Sequence, residues 1–126
     1  MDYQRSKIYI IGDGDDIRLQ LERYLFENEI VDLNAFSNSL NDAITRIKQK
    51  VISDLKAEII LAGGDDIIIQ VDKNLYDQKY FLKVIDYFKE HTGCTMSFGV
   101  GKTIEIAYLN LMKAKAKGKA NIVAEK

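Results

Sequence analysis

The chain has 126 residues, 47% of them hydrophobic, with 18 basic and 19 acidic side chains and a formal net charge of −1. That length suits one domain, expected to run over 1–126, and the apolar fraction is enough for a packed core. The charge balance argues against a protein whose main task is gripping long nucleic acid, which needs a clear basic excess. A single cysteine, Cys94, excludes an internal disulfide or a cysteine-based zinc site and fits a reducing compartment. The apolar run from Ile8 to Ile11 is too short for a signal peptide or a membrane span, so a soluble, cytoplasmic protein with no membrane partner is expected.

Lys7 to Gly12 is short, β-branched and aromatic, and reads as a buried strand. It runs into Gly12-Asp13-Gly14-Asp15-Asp16, a turn that can also cap a helix. Ile17, Leu21, Tyr24 and Leu25 then recur at helical spacing, and Asn34 to Asn38 reads as a break. Leu40, Ala43, Ile44, Ile47, Val51 and Leu55 form the apolar stripe of a second helix. Ala57 to Ala62 reads as a strand, Gly63-Gly64 as a two-residue hairpin turn, and Asp65 to Asp72 as the returning strand. Phe81, Leu82, Ile85 and Phe88 mark a third helix ending near Gly93. Thr95 to Gly101 alternates like a strand, Ile104 to Lys117 is a fourth helix stopped by Gly118, and Asn121 to Ala124 is a short last strand. The order βααββαβαβ predicts an α+β fold: an antiparallel sheet with helices packed on one face.

Two acidic clusters fall at strand ends. Asp13 follows the first strand, and Asp65 and Asp66 open the third. If those strands are neighbours, the three carboxylates meet at one edge of the sheet, where they repel and raise one another's pKa. A hard cation relieves that cost: Mg²⁺ or Mn²⁺, held with water and phosphate oxygens, and two such ions can clamp a phosphoryl transfer. In isolation the same Gly-Gly-Asp-Asp run is simply a good hairpin turn. Against that, bare carboxylates directly before Ile67-Ile68-Ile69 need a reason. Adjacent strand residues point to opposite faces, so Asp65 is expected as the main ligand and Asp66 as its support unless the turn twists them together.

Lys113, Lys115, Lys117 and Lys119 fan around the end of the last helix, so only one or two can face any one site. They read either as a solvated helix end favoured by the dipole or, for Lys115 or Lys119, as neutralisers of a triphosphate. Gly99-Val100-Gly101-Lys102-Thr103 ends like a phosphate-binding Gly-Lys-Thr loop, but Met96 stands where that motif needs its first glycine. His91 and Cys94 have no second histidine or cysteine to complete a metal or nucleophile set.

Together these residues carry a resemblance. Gly63-Gly64-Asp65-Asp66 on a hairpin, with Asp13 ending the first strand, resembles the GGDD palm of the large polymerase-like subunit of type III CRISPR complexes and of GGDEF diguanylate cyclases. Ser97-Phe98-Gly99-Val100 resembles the S-I-G-V strand of GGDEF domains, and Ala114-Lys115, Gly118-Lys119 and Asn121 resemble their A-K-x-x-G-[RK]-N ending. The length is similar to that of the minimal CRISPR polymerase family, a bare ferredoxin-like palm associated with cyclic nucleotide signals in prokaryotic antiviral defence.

The resemblance implies that Asp13, Asp65 and Asp66 are catalytic and hold metal. It implies that Gly14, Asp15, Asp16 and Ile17, chiefly through their backbone, bind triphosphate together with the turn glycines Gly63 and Gly64 and with Lys115 and Lys119. Leu21 stands where GGDEF cyclases carry a guanine-reading Asn and Ile30 where they carry a guanine-reading Asp, and the inhibitory R-x-x-D is missing. ATP is therefore the expected substrate, by exclusion of guanine. The expected activity is a nucleotidyltransferase that joins ATP into cyclic di-AMP or a small cyclic oligoadenylate, acting as a homodimer, with the product read by a separate effector protein. The rival readings are a GTP-using palm, as cyclase or cyclohydrolase, and a catalytically idle nucleotide sensor.

Overall fold

The protein is described here by a computed structural model covering residues 6–125. Residues 1–5 and 126 of the expected 1–126 domain lie outside the described residues. The elements run β1 (Lys7–Gly14), α1 (Ile17–Phe26), α2 (Ile30–Leu55), β2 (Glu58–Gly63), β3 (Asp66–Asp72), α3 (Gln78–Thr92), β4 (Met96–Gly101), α4 (Ile104–Ala116) and β5 (Ile122–Val123), with a short 3-10 turn at Lys73–Leu75. This is the expected order. The strands form one sheet ordered β2-β3-β1-β4-β5, so the first four follow the ferredoxin-like pattern with β1 in the middle.

Two expectations are corrected. The sheet is mixed rather than antiparallel: β5 pairs with β4 in parallel, Phe98 opposite Ile122 and Gly99 opposite Val123. The helices also lie on both faces. Ile8 and Ile10 of β1, Ile67, Ile69 and Val71 of β3, and Phe98 of β4 pack with the apolar stripes of α2 and α3 and with Ile17 of α1. The alternate residues Ile11, Tyr9 and Ile68 pack instead with Ala107 and Leu111 of α4. A strand in the middle of a sheet with both faces covered reads as a continuous apolar run, as Ile8 to Ile11 does.

The predicted break at Asn34 to Asn38 is helix. Phe36 is buried in the core and anchors that turn, while Asn38 Nδ2 donates to Asn34 Oδ1 at 3.2 Å on the exposed side. Packing overrides the weak helix propensity of Asn and Ser here. The chain breaks earlier, at Asn28, which adopts a left-handed φ of 54°.

Gly99 explains the misleading Gly-x-Gly-Lys-Thr run. A Cβ at this position would lie 2.0 Å from the Ala107 carbonyl oxygen and 2.2 Å from the Leu111 nitrogen. The glycine lets the α4 backbone settle on β4, so it serves packing and not a phosphate loop. That close approach fixes where α4 sits, and therefore where its lysines reach.

Candidate metal and nucleotide site

Asp13 ends the central strand, paired across the sheet with Asp66 of β3 on one side and Ser97 of β4 on the other. Directly opposed residues share a face, so Asp13, Asp66 and Ser97 all point to the α4 side. The β2–β3 turn is shifted by one residue from the sequence expectation. Gly63 pairs with Asp66, and Gly64 (φ 59°) and Asp65 form the turn. Asp65 is therefore free of the strand's alternation, which is how neighbouring carboxylates reach one place. Its carbonyl accepts from the Gly14 N–H at 3.1 Å, tying the hairpin tip to the end of β1.

One carboxylate oxygen from each of Asp13, Asp65 and Asp66 lies within 4.8 Å of the others. Octahedral Mg²⁺, with ligands at about 2.1 Å, spaces its oxygens by about 3 to 4.2 Å, so a small inward movement suffices to hold it. Gly14 makes room for the cluster: a Cβ there would lie 2.8 Å from Asp65 Oδ2 and 2.7 Å from Ile17 Cγ1.

The electrostatics show the strain of collecting these groups. Hydrogen bonding to Asp13, with burial and the charges of Asp13 and Asp65 adding to it, pushes Asp66 up to about 7. Asp65 is also raised, first by burial and then by the Asp13 charge. Burial acts to raise Asp13 too, but hydrogen bonds from Asp66 and Lys115 outweigh it and hold its carboxyl below the usual range. Without metal, Asp13 and Asp66 thus share a proton near neutral pH, and a bound cation would displace it.

Lys115 lies on the α4 stripe of Ala107 and Leu111, spaced to face the sheet. Its ammonium sits 2.9 Å from Asp13 Oδ2 and 3.2 Å from Asp15 Oδ1, and it donates to the Gly14 carbonyl at 3.0 Å. Burial disfavours its charge, yet the bonds to Asp13 and Asp15 raise its pKa overall. Lys119 pairs with Asp16. Lys113 and Lys117 pair with Glu125 instead, so the alternate lysines divide as their fan predicts.

The expected phosphate cradle is only partly available. The Gly14 N–H is spent on Asp65, and the Asp15 N–H on the Thr95 carbonyl at 2.8 Å. Asp15 is only 3% exposed, and its carboxylate is taken up by donors of the protein itself. It accepts from Thr95 Oγ1 at 2.6 Å, Ser97 Oγ at 2.9 Å, Lys115 Nζ and the Ala120 N–H at 3.0 Å. Those bonds hold the turn after α4, where Lys119 and Ala120 both adopt left-handed backbone, and Asn121 ties the same turn to the Ala114 and Lys119 carbonyls. Buried charge demands this degree of satisfaction. Asp16 and Ile17 line an open cleft of about 610 Å³ beside the acids. Its walls include Leu21 and Leu25, and also Arg18 and Glu22, two residues that sequence reasoning did not single out. Gly63 and Gly64 are exposed at the hairpin tip and are not among the residues that line that cleft. The supporting roles of Thr95 and Ser97 were also missed; the signals for Ser97 were its polarity in the otherwise apolar strand Met96–Gly101 and its place in the Ser97-Phe98-Gly99-Val100 resemblance.

Among solved structures, a Csm1–Csm4 cassette in complex with cA4 is similar, with a TM-score of 0.68 and 18% identity over 95% of this chain. A Csm1–Csm4 cassette in complex with one ATP gives a TM-score of 0.66 and 17% identity over 93% of the chain. The chain spans about a fifth of those matched chains, 21% and 20% of their lengths. The active GGEEF domain of a diguanylate cyclase from Vibrio cholerae matches with a TM-score of 0.61 and 15% identity, covering 97% of this chain and 85% of that one. No protein of curated function matches in sequence. No helix among the described residues is long and apolar enough to cross a membrane. The minimal CRISPR polymerase domain matches residues 9–124, nearly the whole chain, and the protein belongs to that family.

Proposed function

We propose that this palm is a metal-dependent nucleotidyltransferase that joins ATP into a cyclic nucleotide, cyclic di-AMP or a small cyclic oligoadenylate, for signalling in prokaryotic antiviral defence. The observation that carries the reading is the convergence of Asp13, Asp65 and Asp66 at the end of the central strand, beside an open cleft and under Lys115. Five carboxylates, Asp13, Asp15, Asp16, Asp65 and Asp66, face two ammonium groups, Lys115 and Lys119, leaving an excess of negative charge suited to divalent cations.

Two Mg²⁺ or Mn²⁺ ions, when bound, would neutralise the triphosphate and the charge that develops on the entering and leaving oxygens. Asp13, Asp65 and Asp66 would hold them. The free N–H groups at the start of α1, with Lys119, would orient the phosphates. A ribose hydroxyl of one ATP would attack the α-phosphate of another, forming a P–O bond as pyrophosphate leaves; a second such step closes the ring. The apolar Leu21 on the cleft wall offers guanine no hydrogen bonds, which favours ATP. The similar cassette structures solved with one ATP, with AMPPNP and with cA4 support the same reading.

One cleft seats one triphosphate, so two copies are required to present two nucleotides. Leu19, Leu25, Phe26, Ile30 and Val31 are all more than 60% exposed and adjoin the cleft, which suits a two-fold dimer contact. The test is incubation with each NTP and Mg²⁺ or Mn²⁺, with products analysed by mass spectrometry. A cyclic adenylate that disappears with Asp65→Ala and with Asp66→Ala is expected. A guanylate product would favour the GTP-using palm. ATP binding without turnover of any NTP would sink the enzyme reading in favour of a sensor.

A further inference from the structure

The Gly101-Lys102-Thr103 turn, discarded as a phosphate loop, borders a separate cavity of about 370 Å³. It lies at the start of β1 and the end of β4, and Lys7 is six residues from Asp13 along the strand, about 20 Å at strand rise. Three lysines from three parts of the chain line it: Lys7 of β1, Lys73 after β3 and Lys102 before α4. No salt bridge joins any of them to a carboxylate among the described residues. Glu125, the acid on the cavity wall, is already paired with Lys113 and Lys117.

Tyr76 also lines the cavity, and its hydroxyl is buried with no hydrogen-bond partner among the described residues. Its ring is held by stacking on Phe81 at 5.8 Å. Gathering around one cavity three cations that pair with no carboxylate among the described residues costs repulsion. An anion with several oxygen acceptors relieves that repulsion. Ile8, Val100 and Ile106 form an apolar wall on which a larger group can rest. The dipole of α4, which begins at Ile104, has its positive end here.

We infer that this cavity is a second anion site, for a phosphate-bearing small molecule, built by Lys7, Lys73 and Lys102 and separate from the acidic cluster. The ligand is either a free polyphosphate or a nucleotide, which share the recognised group.

The test is calorimetric titration of the full chain with inorganic pyrophosphate and, separately, with ATP, both in EDTA so that the acidic cluster offers no metal. Binding is expected to persist in Asp65→Asn/Asp66→Asn and to be lost in Lys7→Ala/Lys73→Ala/Lys102→Ala, whose lysines are exposed or half-buried and whose fold is checked by circular dichroism. Lys102→Ala alone is expected to weaken it about tenfold. Equal affinity for both probes marks the polyphosphate as the recognised ligand; tighter ATP binding with the same lysine dependence marks a nucleotide. No binding at millimolar probe, or binding unchanged in the triple lysine variant, overturns the assignment. Because no turnover is read, the outcome is independent of whether the palm proves to be an enzyme.

Discussion

The proton shared at the acidic cluster makes the metal-free protein sensitive to pH in an unusual direction. Asp66 is raised to about 7, chiefly by its hydrogen bond with Asp13. A carboxyl raised on folding contributes stability that is complete below its unfolded value, near 3.8, and is lost as pH rises through 7. The linkage slope for one extra bound proton is about 1.4 kcal/mol per pH unit, but Asp66 is largely exposed and solvent screens it, so the net loss is on the order of 1 kcal/mol. That corresponds to a fall in melting temperature of about 3–6 °C between pH 4.5 and 7.5. Asp66→Asn mimics the protonated acid and should remove most of this fall, while Mg²⁺ should offset it in the wild type and bind more tightly as pH rises. The assay is thermal melting in EDTA and in Mg²⁺, with the Asp66 carboxyl titration followed by NMR. An Asp66 midpoint near 4 without metal, or identical pH slopes for wild type and Asp66→Asn, would refute the reasoning.

Other perturbations report on separate parts of the site. Gly14→Ala places a Cβ 2.8 Å from Asp65 Oδ2 and should cut Mn²⁺ affinity at least tenfold, read by calorimetry. Ser97→Ala removes a donor from the buried Asp15 carboxylate and should cost about 1–3 kcal/mol in denaturant unfolding. Gly99→Ala drives a Cβ into the α4 backbone and should cost about 3 kcal/mol or prevent folding, seen by circular dichroism. Phe26→Glu/Val31→Glu charges the exposed apolar run beside the cleft; sedimentation should show a monomer, and product formation should fall with it.

The order of strands and helices was legible because apolar periodicity is local: Ile8 to Ile11, the α2 stripe from Leu40 to Leu55 and Ile67 to Ile69 each announce an element without reference to the rest of the chain. Asp13, Asp65 and Asp66 were legible for the same reason, as carboxylates placed beside apolar strands at turns. What pairing decides was not legible. A one-residue shift of the β2–β3 turn moved Asp65 off the strand and let it join Asp66, and only cross-strand register sets that shift. The parallel pairing of β5 with β4 is likewise set by long-range register, and the seat of α4 on its face of the sheet uses the close approach at Gly99, which looked in sequence like part of a phosphate loop. Asp15 reads as one more acid in an acidic turn. Only the folded chain brings Thr95, Ser97, Lys115 and the Ala120 N–H to it from positions 80 or more residues away, turning a candidate ligand into the anchor of the site. Sequence thus determined which groups exist and which local elements carry them, because propensity and patterning act over a few residues. Tertiary structure decided which carboxylates face the cleft and which are buried, because that depends on long-range pairing and on satisfying each buried charge.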